Sequence, residues 1–302
     1  MESSSSTLLD ANDFVQDTFQ LITSEEHGKV IIWTVIEPIR DSDVHLGLAH
    51  WGCVRIVSSV QLQVPSECLS SHDVIFGHNT NEKDDRSDFF VATGNGNILH
   101  ASALVGHKPS PRYYKPELDG QNVVRALSFC PFGEQFFLAG SDDGSVSCAL
   151  VLKFLQNLRL SKFCTLYKLQ LIFPFQVRMH SVTSEKPLIT WPGSVNGQPI
   201  LRIIWSPSRP CVFYILDSDS RIHLWDLGVG DIYPAHSVQF EEKVNVIAIN
   251  PELGDPKQKQ LLALGMENGR VEVHHLKSEY RAKDSKACTV ELERFLHYVS
   301  II

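Results

Sequence analysis

Residues 201–227, LRIIWSPSRPCVFYILDSDSRIHLWDL, decide the fold. Ile203, Ile204 and Trp205 form an apolar, extended run. Ser206-Pro207-Ser208-Arg209-Pro210 follows, and its two prolines cannot donate to a sheet ladder, so the strand stops there. Residues 212–216, VFYIL, are a second apolar run, short enough for a strand buried on both faces. Asp217 to Ser220 supply a polar turn, after which Ile222, Leu224 and the Trp225-Asp226 pair finish a third strand with side chains alternating between faces. Three short strands joined by turn chemistry are the pattern of one β-propeller blade.

Such a unit cannot bury its own faces, so it carries weight only where it recurs. Four other segments fit it: residues 19–35 (FQLITSEEHGKVIIWTV), 89–104 (FFVATGNGNILHASAL), 126–146 (ALSFCPFGEQFFLAGSDDGSV) and 246–276 (VIAINPELGDPKQKQLLALGMENGRVEVHHL). In these four, glycine stands at the hairpin, as Gly28, Gly96, Gly144 and Gly269, the last two preceded by Asp143 and Asn268. Tight hairpins need positive φ, which a Cβ tolerates poorly. Ser220 takes that place in the fifth unit. Trp33, Trp205 and Trp225 occupy repeat-equivalent places and are expected to pack in the core. The expected fold is therefore all-β, a WD40-type propeller of about five blades, apparently incomplete, followed by a short helix.

Hairpin positions are spaced by 68, 48, 76 and 49 residues, against about 40–45 for a WD-type blade. The first excess is polar loop. The second holds residues 147–177, SCALVLKFLQNLRLSKFCTLYKLQLIFPFQV, which contain Lys153, Arg159, Lys162 and Lys168 and no Asp or Glu. Removing them joins DGSV to RMHSV and restores an ordinary spacing, so an insertion into one blade is expected, for which an unspliced stretch of coding sequence would account. The competing reading is a basic amphipathic helix built on Leu152, Leu155, Leu158 and Leu160. Residues 1–282 are thus read as a partial propeller with that insert, and 283–302 as an amphipathic helix in which Val290, Leu292, Phe295, Leu296 and Val299 recur at near-helical spacing, packing on the propeller or meeting a partner subunit.

The 302 residues carry a net charge of −8 and are 43% hydrophobic and 21% charged, with mean hydropathy −0.07. That balance argues against a nucleic-acid surface, which needs a basic stripe. Lysines interrupt every window of the apolar insert long enough to cross about 30 Å of hydrocarbon, so membrane insertion is not expected. The start, MESSSSTLLDANDF, has no secretory signal pattern. Seven cysteines lie scattered without the paired spacing of a zinc site or a disulfide framework, and Cys130 and Cys211 read as buried thiols.

No catalytic or cofactor motif stands out. Gly94-Asn95-Gly96-Asn97 lacks the third glycine or lysine of a phosphate loop and leads into a strand, so it is a hairpin turn. His274-His275 point to opposite faces of a strand and cannot readily share a metal. Asp142-Asp143-Gly144 lacks the spaced downstream ligands of a calcium loop. No nucleophile elbow of the Gly-x-Ser-x-Gly kind is present. The expectation is a noncatalytic protein with no cofactor and no metal, marked only by blade signatures: Gly28, Trp33, Gly96, Asp143, Gly144, Trp205, Pro207, Pro210, Trp225, Asp226 and Gly269.

Residues 126–146, WSPSRPCVFYI at 205–215 and IHLWDL at 222–227 together resemble the dynein intermediate chains, whose propellers carry a Trp-Ser-Pro-x-x-Pro-x-x-Phe stretch before a Trp-Asp strand. SFCPFGE at 128–134, residues 19–35 and GRVEVHHLKSEYR at 269–281 look like the C-terminal blades of the cytoplasmic dynein-2 type, in the same order. The resemblance implies a noncatalytic subunit that grips the tail of a dynein-2 heavy chain beside a second intermediate chain. It further implies a role in retrograde intraflagellar transport and cilium assembly, and a place in the cytoplasm, the cytoskeleton and the cilium, at axoneme or basal body. The family's N-terminal light-chain-binding region has no counterpart here, so light-chain binding is not carried over, and a chain starting inside a blade suggests a fragment. The rival readings are a general propeller adaptor, such as a substrate receptor of a ubiquitin ligase, and a hydrolytic propeller with an acidic channel. The latter would need carboxylates on innermost strands that are mainly apolar.

Overall fold

The computed structural model describes residues 18–25, 29–36, 55–62, 71–77, 88–102, 108–115, 122–143, 176–192, 194–195, 197–250, 260–280 and 285–301. Among them are 18 strands in five small antiparallel sheets, a single turn of 3-10 helix at Ser278–Tyr280 and one α-helix, α1 (Ser285–Ile301). The described residues are all-β apart from α1 and that 3-10 turn, consistent with an incomplete WD40-like propeller.

The chain forms two compact units. The first, residues 1–25 with 29–64, holds one sheet of β1 (Thr18–Ser24), β2 (Val30–Ile36) and β3 (Arg55–Leu62) in that order. Val30, Ile32 and Val35 are its buried side chains, and Trp33 is half-buried, donating its indole N–H to Thr23 Oγ1 at 2.9 Å.

The second unit, residues 65–302 with 26–28, holds four sheets. They are β4 (Ser71–Phe76), β5 (Asp88–Thr93), β6 (Ile98–Ser102), β7 (Tyr113–Tyr114); β8 (Asn122–Phe129), β9 (Phe136–Asp143), β10 (Gln176–Ser181), β11 (Ile189–Pro192); β12 (Ile200–Trp205), β13 (Val212–Asp217), β14 (Arg221–Asp226), β15 (His236–Gln239); and β16 (Val244–Ile249), β17 (Leu261–Met266), β18 (Val271–His275). Each sheet is a meander with strands in chain order, and the first strand of each lies beside the first strand of the next: β4 by β8, β8 by β12, β12 by β16. Strands thus run from an inner first position outward, as in propeller blades.

Two devices recur in these sheets. In all four, pairing of the first and second strands slips by one residue, at His72, Arg125, Leu201 and Asn245, a β-bulge that bends and twists the inner strand. Side-chain oxygens also cross from one sheet to the next: Asp73 Oδ2 accepts the N–H of Leu127 at 2.8 Å, Ser128 Oγ that of Trp205 at 2.8 Å, and Ser220 Oγ that of Val244 at 2.9 Å. Burial raises the Asp73 carboxyl pKa, outweighing the hydrogen bond from Leu127 and the charge of Arg202, which lower it.

Middle strands are buried on both faces, so their side chains alternate between two cores. On β13, Val212, Tyr214 and Leu216 face β14–β17 partners such as Leu264, whereas Phe213 and Ile215 join Trp191, Trp205 and Trp225. On β9, Phe137 and Ala139 pack with Phe90 and Tyr114, while Leu138 faces Met179 and Ile203. Gly140 is required by close approach: a Cβ there would lie 2.7 Å from Ile200 Cγ2 and 2.8 Å from Ile203 Cδ1.

Three of the hairpin positions are described and have left-handed backbone. Gly96 and Gly269 have φ of 83°, and Ser220 has φ of 65°, the positive value expected of it. Gly28 and Gly144 lie outside the described residues, as do residues 147–175 of the basic, apolar stretch. Its last two residues, Gln176 and Val177, open β10, where Val177 pairs with Gly140. Asp143, read with the turn, is the last residue of β9. No helix among the described residues is long and apolar enough to cross a membrane.

Candidate interaction site at the Trp-Asp strand and the C-terminal helix

The loop after β12 is closed by its own polar groups. Trp205 donates its indole N–H to Pro210 O at 2.9 Å, Ser206 Oγ accepts the N–H of Arg209 at 3.2 Å, and the N–H of Ser206 bonds Val212 O at 2.9 Å. Pro207 and Pro210, having no N–H to satisfy, fit a segment that leaves the ladder and returns to it. The fold they create presents Arg209.

Arg209 is 6% exposed and lies between two carboxylates. Its Nε donates to both oxygens of Glu291 on α1 at 3.1 Å, Nη2 reaches Asp226 Oδ2 at 3.1 Å, and Nη1 donates to Glu279 O at 2.7 Å. Burial works against the guanidinium's charge, yet the hydrogen bonds and charges of Glu291 and Asp226 outweigh it and hold its pKa above the ordinary value. Asp226 spends its other oxygen on the N–H of Gly228 at 3.0 Å, capping the turn after β14. The Trp-Asp pair therefore has two physical roles. Trp225 stacks on Phe213 at 5.8 Å with an interplanar angle of 6°, and Asp226 anchors Arg209.

Helix α1 completes the site. Phe295 is fully buried and meets Trp205 and Phe136 edge-on at 5.6 and 5.8 Å, with Leu292, Leu296 and Val299 packed around it. Val290, read from the sequence as part of the same face, is 46% exposed instead, because it borders the cleft rather than the core. Tyr298 donates to Asp231 Oδ2 at 2.9 Å, and burial together with that carboxylate pushes its phenol pKa up. Between the turn at Gly228 and α1 lies a cleft of about 480 Å³, with Arg209, Asp226 and Glu291 in its wall and Lys286, Val290 and Arg294 along the helix side.

The structure thus gathers Trp205, Pro210 and Asp226 around one ion cluster, with Pro207 in the same loop, and places Trp225 in the core beneath. Trp33, Gly96 and Gly269 sit in other sheets. Sequence reading missed Arg209 and Glu291. The available signal was a charged residue inside a proline-bounded apolar segment; nothing local marks its partner.

A second polar group resembles a relay: Ser237 Oγ lies 2.9 Å from His223 Nδ1, and His223 Nε2 lies 3.0 Å from Asp217 Oδ2. Asp217 also accepts the N–H groups of Asp219 and Arg221, so the trio locks the β13–β14 turn and ties β15 to it. Among the described residues no group of three or more His, Cys, Asp or Glu could hold a metal. Cys130 and Cys211 are buried, Cys211 Sγ donates to Glu291 O at 3.7 Å, and burial pushes the Cys130 thiol up to about 11.

No family model matches the chain. It is 28% identical to cytoplasmic dynein 2 intermediate chain 1 of Mus musculus over 279 residues, 87% of this chain and 24% of that protein. It is 27% identical to the Homo sapiens protein of the same name over 286 residues, 90% of this chain and 24% of that one. Dynein axonemal intermediate chain 4 of Xenopus laevis is 28% identical over 121 residues, 36% of this chain and 16% of that protein. The chain spans about a quarter of the length of the dynein-2 relatives it matches. The chain that carries this Trp-Ser-Pro loop, Trp-Asp strand and succession of sheets is thus similar to cytoplasmic dynein 2 intermediate chains over most of its length.

Proposed function

We propose that this chain is a noncatalytic intermediate-chain subunit of a dynein-2-type motor. Its sheets bind the heavy-chain tail beside a second intermediate chain and support retrograde intraflagellar transport and cilium assembly, in the cytoplasm, on the cytoskeleton and at the axoneme or basal body. Residues 1–282 act as the propeller portion and 283–302 as the helix that stiffens it. The observation that carries this reading is the similarity to dynein-2 intermediate chains over 87–90% of the chain. Antiparallel sheets with loops at their edges suit docking onto another subunit.

The test is co-purification of the full chain with the tail of a dynein-2 heavy chain, with a dynein-2 intermediate chain as positive control, and an ATP-hydrolysis assay of the chain alone. Capture of the tail without hydrolysis is the expected result. Failure to capture, with the control succeeding, moves the assignment to a general propeller adaptor, and hydrolysis by the pure chain overturns the noncatalytic reading.

A further inference from the structure

The three other sheets of the second unit each carry four strands, but the last stops at three, and β18 pairs with β17 alone. Its outer edge is therefore open among the described residues. Which groups face that edge follows from the hairpin. Met266 donates its N–H to Arg270 O at 2.9 Å and Leu276 donates to Gln260 O at 3.1 Å, so Arg270, Glu272, His274 and Leu276 are the residues that bond to β17. The N–H and C=O groups of Val271, Val273 and His275 point the other way, to the open edge. Side chains alternate too. Glu272 and His274 stand opposite Leu264 and Leu262 on the core-facing side, whereas Val271 and Val273, on the other side, are 67% and 59% exposed.

Exposed valines on an open edge invite pairing with another strand, and this edge is complementary to itself. Turned about a two-fold axis through Val273, the strand places Val273 opposite Val273 of a second copy, Val271 opposite His275, and Glu272 opposite His274. The first two kinds of pair join only residues whose backbone groups face the edge, and each such pair exchanges two hydrogen bonds. The Glu272–His274 contacts fall on the opposite face, where the same two side chains already meet within the strand, Nε2 to Oε2 at 2.9 Å. The registers displaced by two residues keep the backbone bonds but set like against like: Glu272 meets Glu272 and His274 meets Arg270 in one, and His274 meets His274 in the other. We propose that β18 pairs antiparallel with β18 of a second copy of this chain, in the register centred on Val273, joining two three-stranded sheets into one. The contact needs no other subunit and stands apart from the motor reading.

Sedimentation equilibrium of the full chain, from low micromolar to near-millimolar concentration, should show a reversible monomer–dimer equilibrium. Val273→Pro removes the two central hydrogen bonds of the dimer and none to β17, and should weaken association by about tenfold or more. His274→Glu sets two carboxylates opposite each other at both contacts and should weaken it as well; adding Glu272→His reverses both contacts and should restore the parent's association. Val273→Cys should form, under mild oxidation, a disulfide joining residue 273 of both copies, because Cα atoms of a bonded pair lie about 5.5 Å apart, within disulfide reach. Val271→Cys, which faces His275, should not. A chain that stays monomeric throughout overturns the proposal, as does a dimer insensitive to Val273→Pro and His274→Glu. A disulfide formed through residue 271 but not 273 overturns the register.

Discussion

Arg209 and Glu291, separated by 82 positions in the chain, meet through two hydrogen bonds of 3.1 Å from Nε to the two carboxylate oxygens, with both side chains 8% exposed. A buried pair of this kind adds little net stability over apolar residues of the same shape, but removing one partner strands the other. Glu291→Ala should therefore lower stability by about 3 kcal/mol, read as the urea midpoint. The double replacement Arg209→Met with Glu291→Leu should recover only part of that loss, because buried Asp226 then loses its own partner. A double variant as unstable as the sum of its singles would show that the two side chains are not coupled and that each is held by its other partners.

Phe295 ties α1 to the sheets through Trp205 and Phe136. Phe295→Ala should cost about 3–5 kcal/mol if the whole unit responds. Hydrogen exchange distinguishes the alternative: amides of α1 losing protection while those of β12–β14 keep it would mean that the helix peels off alone.

Ser220 holds a positive φ of 65° and accepts the N–H of Val244. Ser220→Ala keeps the unfavourable conformation and loses the acceptor, at about 1–3 kcal/mol. Ser220→Gly loses the same acceptor but relieves about 1 kcal/mol of backbone strain. Thermal unfolding should rank the parent first, glycine second and alanine last.

His180 is fully buried, stacked on Phe137 at 5.1 Å and edge-on to Tyr114 at 5.7 Å. Burial first, and the charge of Arg178 second, hold its pKa well below 6.5. The unfolded chain takes up a proton at this residue near pH 6.5 and the folded chain does not, so stability is retained above that pH and falls below it. The slope from this group approaches about 1.4 kcal/mol per pH unit until the folded pKa is reached. His180→Phe should flatten the pH dependence of the urea midpoint between pH 6.5 and 5 relative to the parent.

Cys130 is fully buried with its thiol raised to about 11, so little thiolate forms at pH 8. Iodoacetamide at pH 8 should modify partly exposed Cys288 well before Cys130, as peptide mapping would read.

The hairpins and the strands that flank them were legible because two short-range rules suffice for them, alternation across a strand and positive φ at a tight turn, whereas the inner strand β4, Ser71–Phe76, was not read. Val212 to Leu216 alternate between two cores as an apolar run should, and Ser220 adopts the conformation of the glycines it replaces. Outer strands were not legible. His236–Gln239 is exposed throughout, so it carries no burial pattern, and Tyr113–Tyr114 is only two residues long. The site was half legible. Trp205 and Asp226 carry a recognisable spacing, but the ion pair to Glu291, and the bonds from Asp73 to Leu127 and from Ser128 to Trp205, join distant segments whose meeting no local rule encodes.

The pairing of β9 with β10 has a further consequence. Five residue pairs, from Val177↔Gly140 to Ser181↔Phe136, hold the two strands together, although residues 144–175 separate them in the chain. Closing such a gap grows costlier only logarithmically, by about 0.6 kcal/mol for each doubling of its length. By that rule a change in the length of chain between Asp143 and Gln176 costs the ladder little, and a foreign domain or reporter grafted there should leave the five pairs in register.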